Sequence, residues 1–279
     1  MRTGIAKVNG VEIAWEERGA GIPIVFVSGT GVGGGVWSKW QVPHFSEKYR
    51  CITFDLRGTG RSSAPSDGYS VRAFAEDCVA LCESLGVEKA HFVGMSLGSA
   101  IIQEVAISHP NLVLSATLLS TWSCTRNEPH IKFWFESRLA TLQSGDMDLF
   151  RKSSFWMFAP STIEENLDLF NEINSIFKAN STEQPIHAYI GHFMADLGHD
   201  SSSRLNQVKC PTLVLYGEED LITLPKYNLR VSEIIEGSIA ISFKDAGHFL
   251  WLERGEEVNN VIDEFLTNLN LDMNIGVSK

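Results

Sequence analysis

The period of apolar and polar positions changes several times along the chain, and each change marks an element. Residues 4–18 alternate around Asn9-Gly10, which predicts an antiparallel hairpin closed by a two-residue turn. Residues 22–28 (IPIVFVS) are an unbroken apolar run, as expected of a central strand covered on both faces, and CITFD at 51–55 reads as the next strand. Residues 71–85 carry helical spacing and stop at Gly86, a natural C-cap. A short buried strand over 91–95 runs straight into a helix over 97–109, and 112–119 is strand again. From about 123 to 205 the pattern is helical and dense in rings, among them Phe133, Trp134, Phe150, Trp156, Phe177 and Phe193. Strand pattern returns at 211–216 and 239–243, with helices starting at Pro225 and over 256–269.

Strand alternating with helix predicts an α/β protein: a mostly parallel sheet of about eight strands with helices on both faces. The ring-rich helical run interrupts it, giving a core of 1–122 and 206–279 and an inserted helical cap over 123–205. A cap must face something, so some of its rings are expected to wall an apolar pocket above the sheet. Trp122, Trp134, Trp156, Phe193 and Phe249 are the candidate substrate-facing rings.

The stretch Gly94-Met95-Ser96-Leu97-Gly98 leaves no loop residue between strand and helix. A serine there must take a strained backbone with its hydroxyl projecting, and glycine two residues before and after removes side chains that would collide with neighbours. The helix then aims its N-terminus, and the Leu97 N–H, at any oxyanion formed on that serine.

A serine hydroxyl is unreactive at neutral pH without a base, and the base needs an anion to fix its tautomer. Asp220 follows the strand at 211–216, and His248 follows the last strand with Gly247 before it. In a parallel sheet the carboxyl ends share one edge, so Ser96, Asp220 and His248 can meet there in the chain order that suits such an elbow. Glu218 and Glu219 sit too near the strand to reach back, and Asp245 is too near His248 in sequence.

The glycine loop after the strand at 22–28 admits two uses. Gly29, Gly31 and Gly34 fit G-x-G-x-x-G, with Asp55 about twenty residues on, as in a nicotinamide dinucleotide site. Glycine at 33, 34 and 35 and Pro43 leave little helix to place under a pyrophosphate. The other use presents the Thr30 N–H as a second oxyanion donor beside Leu97. In the loop 55–62, Asp55 and Arg57 are expected to pair as a structural brace.

Composition narrows the partners. A net charge of -11 and a pI near 5.2 repel phosphate backbones and anionic membranes, so neither nucleic acid nor membrane is expected as a partner. No apolar run approaches a membrane span, and Lys7, Glu12, Glu16, Glu17 and Arg18 break up any signal-peptide core. Five scattered cysteines suit reduced thiols, and Cys78 and Cys82 read as packing rather than metal ligands. A cytoplasmic location, no metal and no cofactor are therefore expected, with no oligomeric state assigned. His187, His192 and His199 read as polar pocket or surface residues, at spacings unsuited to a metal.

The motifs G-M-S-L-G at 94–98, D-L-R-G-T-G-R-S at 55–62, G-E-E-D at 217–220 and G-H at 247–248, in that order, resemble the serine-nucleophile branch of the α/β-hydrolases. The resemblance covers almost all of the chain except the cap. It implies Ser96 as nucleophile, His248 as general base, Asp220 as its orienter, and Thr30 and Leu97 as the oxyanion hole. Where relatives commonly carry His-Gly, this chain has Ser28-Gly29, with Trp37 beyond, a loop similar to that of ring-cleavage-product hydrolases and enol-lactonases. Phe249 stands where the carbon-carbon hydrolases carry tryptophan. The expected activity is hydrolysis of a small, largely apolar ester or lactone. The alternatives are carbon-carbon cleavage of a vinylogous diketone, a slow ligand-sensing protein, and a nicotinamide oxidoreductase.

Overall fold

A computed structural model describes residues 1–180 and 184–276 of the 279-residue chain. β1 (Arg2–Val8) and β2 (Val11–Arg18) form the expected hairpin, with Asn9 at φ 49° and Gly10 at φ 79° supplying the left-handed pair its turn requires. Next come β3 (Pro23–Val27), α1 (Gln41–Phe45), β4 (Arg50–Phe54), α2 (Val71–Ser84), β5 (Ala90–Met95), α3 (Leu97–Ser108) and β6 (Val113–Leu119). Helices α4 (Pro129–Gln143), α5 (Met147–Lys152), α6 (Pro160–Glu165), α7 (Leu167–Asn180) and α8 (Ile186–Gly198) all lie between β6 and β7 (Thr212–Gly217). The chain continues through α9 (Pro225–Ile234), β8 (Ile239–Phe243), α10 (Leu250–Glu253) and α11 (Gly255–Gly276), the last extending past the expected end at 269.

The eight strands form one sheet in the order β1-β2-β4-β3-β5-β6-β7-β8. Only the pairings of β2 with β1 and with β4 are antiparallel. Alternation along β3 shows how both faces are covered. Val25 and Val27 pack with α2, α3 and α9 through Phe74, Ile101 and Val231, while Ile24 and Phe26 pack with Trp37, Phe45 and the α11 residues Val258, Ile262 and Leu266. Covering both faces explains why the central strands read as continuous apolar runs. The helices between β6 and β7 join both layers: Phe135, Phe150 and Phe193 extend the first cluster, Phe158 and Ile173 the second.

One expectation for the loop after β4 is overturned. Arg57 pairs not with Asp55 but with Asp77 of α2, Nε to Oδ2 at 2.6 Å and a terminal nitrogen to Oδ1 at 2.7 Å. Asp55 instead accepts the Gly34 N–H at 2.8 Å and the Arg61 N–H at 2.9 Å. Burial decides the choice, since Asp77 is 1% and Arg57 9% exposed at the side chain, and a buried charge needs a full bidentate partner. Removing one partner strands the other, so Asp77→Ala should cost about 3–5 kcal/mol in urea unfolding. A loss below about 1 kcal/mol would mean the pair behaves as an exposed one.

Candidate active site

Met95 ends β5 and Leu97 begins α3, so Ser96 alone makes the turn, at φ 52° and ψ −124°. Close packing enforces it. A Cβ on Gly94 would stand 2.6 Å from Ile102 Cδ1 and 2.8 Å from the Gly98 carbonyl carbon, and one on Gly98 would overlap the Val27 carbonyl. The Ser96 N–H donates to the Leu119 carbonyl at 2.9 Å, tying the turn to the end of β6. Below it, Ser99 Oγ donates to the Ser96 carbonyl at 2.6 Å. Leu97 N–H is the first of α3, out of reach of any intrahelical carbonyl.

The structure brings Asp220 and His248 together. His248 Nδ1 lies 2.9 Å from Asp220 Oδ2, with the aspartate side chain fully buried and the histidine 4% exposed. Oδ1 accepts the Ile222 and Thr223 N–H groups at 2.7 and 2.9 Å, and Oδ2 also accepts Thr223 Oγ1 at 2.6 Å. Four donors on one carboxylate fix its plane, and Nδ1–H facing it leaves Nε2 as the basic nitrogen. Ser120, one residue past the Leu119 carbonyl that holds Ser96, donates through Oγ to the His248 carbonyl at 3.0 Å. That bond carries the histidine loop to the elbow.

Glu253 of α10 secures the same loop. Its carboxyl accepts the Gly247 N–H at 3.1 Å, the Ala159 N–H at 3.0 Å and Thr162 Oγ1 at 2.6 Å, and burial raises its pKa. The rival acids are engaged elsewhere: Glu219 takes Ser161, Glu218 takes Ser242, and Asp245 pairs with Arg254 on the surface.

The glycine loop passes directly over the elbow, since a Cβ on Gly29 would lie 3.2 Å from Ser96 Cβ. Thr30 is the next residue. Trp37 Nε1 donates to Ser28 Oγ at 3.1 Å, which fixes the start of the loop. Beyond it stand only a short 3-10 turn at Gly34–Ser38 and the five-residue α1, and both Asp55 oxygens are taken by backbone N–H groups. A pyrophosphate would find no long helix N-terminus there, and ribose hydroxyls no unengaged carboxylate to donate to, which argues against the dinucleotide alternative.

Helix α8 touches the loop from above. Tyr189 OH donates to the Gly31 carbonyl at 3.3 Å, and Gly31 N–H donates to His192 Nδ1 at 3.3 Å. His192 Nε2 lies 2.8 Å from the Arg57 carbonyl, so Nε2 carries the proton and the ring is neutral. Thr30 Oγ1 donates to Asp196 at 2.6 Å. Of His187, His192 and His199, the last two are buried, while His187 is exposed. Burial pushes His192 and His199 each down to about 4.

The five candidate rings fall in different places. Phe249 follows His248, with ring centres 6.1 Å apart, and packs on Phe158 and Phe177. Trp122 is fully buried, its Nε1 donating to Thr125 Oγ1 at 2.8 Å and its ring against Phe135 and His199. Phe193 packs on Phe135 and Phe150, Trp134 lies partly buried beside Arg138, and Trp156 is 50% exposed on Phe155. Thr223, Ser120, Glu253 and Asp196 were not singled out by pattern. Only D-x-x-T at 220–223 carried a local signal, an Asx-type turn that satisfies its own carboxylate.

A family model for the α/β hydrolase fold matches residues 22–255. The solved structure of Est816, described as an N-acyl homoserine lactone degrading enzyme, is similar at 29% identity and a TM-score of 0.80, covering 94% of this chain and all of that one. A Mycobacterium tuberculosis protein provisionally named non-heme bromoperoxidase BpoC is 28% identical over 268 residues, 93% of this chain and 99% of its own. The enol-lactonase of Burkholderia xenovorans shares the fold at a TM-score of 0.83 and 22% identity, over 95% and 100% of the two chains.

The depressed histidines make a pH-linked contribution to stability. A histidine with pKa 6.5 unfolded and about 4 folded binds more protons when unfolded, so its contribution is whole above pH 6.5 and lost as pH falls towards 4. The raised carboxyls of Asp196 and Glu253 act with the opposite sign, so one histidine is read by difference. The stability advantage of wild type over His192→Gln in urea unfolding should shrink by about 2 kcal/mol between pH 7 and pH 5. A gap that ignores pH would show that His192 is not held neutral by burial.

Proposed function

Because the chain belongs to the α/β hydrolase fold family, we propose that it is a serine hydrolase acting on a carboxylic ester or lactone of a small, largely apolar substrate. Ser96 is the nucleophile, His248 the general base and Asp220 the residue that orients it. The Thr30 and Leu97 N–H groups form the oxyanion hole. The observation that carries this reading is the buried Asp220–His248 pair at 2.9 Å, tied through Ser120 to a serine held at φ 52°.

On this reading the steps are those of acyl transfer through a serine ester. His248 Nε2 takes the Ser96 hydroxyl proton as the oxygen attacks the carbonyl carbon. Negative charge that develops on the carbonyl oxygen meets two N–H groups and the positive end of α3. The tetrahedral intermediate collapses as His248 protonates the leaving alkoxide, and the acyl group stays on Ser96. Water, deprotonated by the same nitrogen, then releases the acid. In a lactone the leaving alkoxide and the acyl group are one molecule, so nothing departs until the second half. A serine ether formed at an sp³ carbon would not hydrolyse, which favours acyl chemistry over dehalogenation or epoxide opening.

We read residues 123–205 as the cap that excludes water from this site, with 1–122 and 206–279 as the catalytic core. Helix α8 against the glycine loop, and Phe249 beside His248, support that division. The similarity to Est816, a lactone-degrading enzyme, supports a lactone among the substrates.

Ser96→Ala should lower kcat/KM for p-nitrophenyl butyrate by about 10⁴ or more. Asp220→Asn, which takes away the negative charge facing Nδ1, should lose about 10³- to 10⁴-fold. A parallel panel of aliphatic esters, lactones and ring-cleavage products, with product analysis, assigns the bond broken. Retention of most activity in Ser96→Ala would refute the nucleophile, and a greater loss from Glu218→Gln or Glu219→Gln than from Asp220→Asn would refute the choice of acid.

A further inference from the structure

Thr30 lies between two glycines, Gly29 and Gly31, and Gly31 is at φ 69°. A backbone of that kind does not fix the direction of its own N–H groups. Within the loop, Val32 N–H donates to the Gly29 carbonyl at 3.2 Å and Ser28 Oγ to the Gly33 carbonyl at 3.3 Å, and neither bond touches Thr30 or the Gly31 N–H. Its remaining anchors at Thr30 and Gly31 come from one face of α8, at Tyr189, His192 and Asp196, positions three and four residues apart. The shortest of them is Thr30 Oγ1 to Asp196 Oδ2, at 2.6 Å.

We propose that Asp196, a residue of α8, is a positioning residue for the oxyanion hole: by accepting the Thr30 hydroxyl it holds the Thr30 N–H over Ser96, so that the cap completes the catalytic site of the core. The proposal rests on the reading of Ser96 and Thr30 given above.

Three features of Asp196 fit this role. It is fully buried, and its Oδ1 is unpartnered among the described residues. Its own backbone is pinned, because Thr125 Oγ1 donates to the Asp196 carbonyl at 2.6 Å, so the carboxyl cannot drift from the loop. No Lys or Arg pairs with it among the described residues, and its titratable helix neighbours His192 and His199 are both neutral. Burial holds its carboxyl well above the usual carboxylate range, opposed only by the Thr30 hydroxyl. A raised pKa disfavours negative charge on this carboxyl, and negative charge there would oppose the developing oxyanion. The amide of asparagine has the same shape and the same acceptor oxygen, so it should serve in place of the acid.

The test is steady-state kinetics on p-nitrophenyl butyrate with Asp196→Ala, Asp196→Asn, Thr30→Val, Thr30→Ser and the Asp196→Ala/Thr30→Val double variant. Asp196→Ala and Thr30→Val should each lower kcat about 10- to 100-fold with KM within about threefold. Asp196→Asn and Thr30→Ser should stay within about threefold of wild type, and the double variant should be no worse than the poorer single one. A bond that merely docks the cap would raise KM or lower Tm and leave kcat intact, and that result overturns the proposal. So does an Asp196→Asn variant as impaired as Asp196→Ala. Should Asp196→Ala fail to fold, the Thr30→Val and Thr30→Ser pair decides by the same criteria. Activity that survives Ser96→Ala would refute the hydrolase reading itself, while loss in Ser96→Ala with unchanged kcat in the Asp196 and Thr30 variants would refute only this inference.

Discussion

A strand that passes into a helix through one residue leaves that residue no relaxed backbone to adopt, and Ser96 at φ 52° and ψ −124° meets that constraint at a cost of about 1–3 kcal/mol. The cost persists because the surroundings over-determine it. Gly94 and Gly98 close on each other across the turn, Gly98 sits under the end of β3, and the Ser96 N–H is held by β6. From that geometry the rest follows: the hydroxyl projects from the sheet, the first N–H of α3 stays open, and β3 must end near enough for its loop to pass over the serine.

Two buried carboxyls then arrange the histidine. Asp220 is saturated by four donors and fixes the imidazole, and Glu253 ties Gly247 to the chain at Ala159 and Thr162. Glu253 therefore couples the histidine loop to the helices between β6 and β7, as Asp196 couples those helices to the glycine loop. The same inserted segment thus bonds to the histidine loop at one end and to the glycine loop at the other. Buried polar groups of this kind contribute little net stability, but each would be expensive to leave unpaired, and this makes the arrangement specific.

The parts legible in the sequence are those set by short-range patterns. The hairpin at Asn9-Gly10, the apolar runs of the central strands and the glycines around Ser96 each encode their own geometry locally. Asp220 and His248 could be placed because both follow a strand of a parallel sheet, whose carboxyl ends share an edge. Partners chosen by burial were not legible. Asp55 and Arg57 are two residues apart, yet each found a longer-range partner, Gly34 and Asp77, because the guanidinium needed a carboxylate out of water. The spacing of Tyr189, His192 and Asp196 marks one helical face, but nothing in it says that the face meets the glycine loop. Ring content raised the expectation of an apolar cap but did not tell Phe249, beside the histidine, from Trp156, half in solvent.

In the proposed mechanism the strained serine is the group made nucleophilic by the Asp220–His248 pair. Reaction with a fluorophosphonate, followed by intact-mass measurement and peptide mapping, tests it without knowledge of the physiological substrate. A single adduct per chain is expected, located on Ser96, absent from Ser96→Ala and formed far more slowly in His248→Ala. An adduct on another residue, or labelling of Ser96 at an undiminished rate without His248, would contradict it.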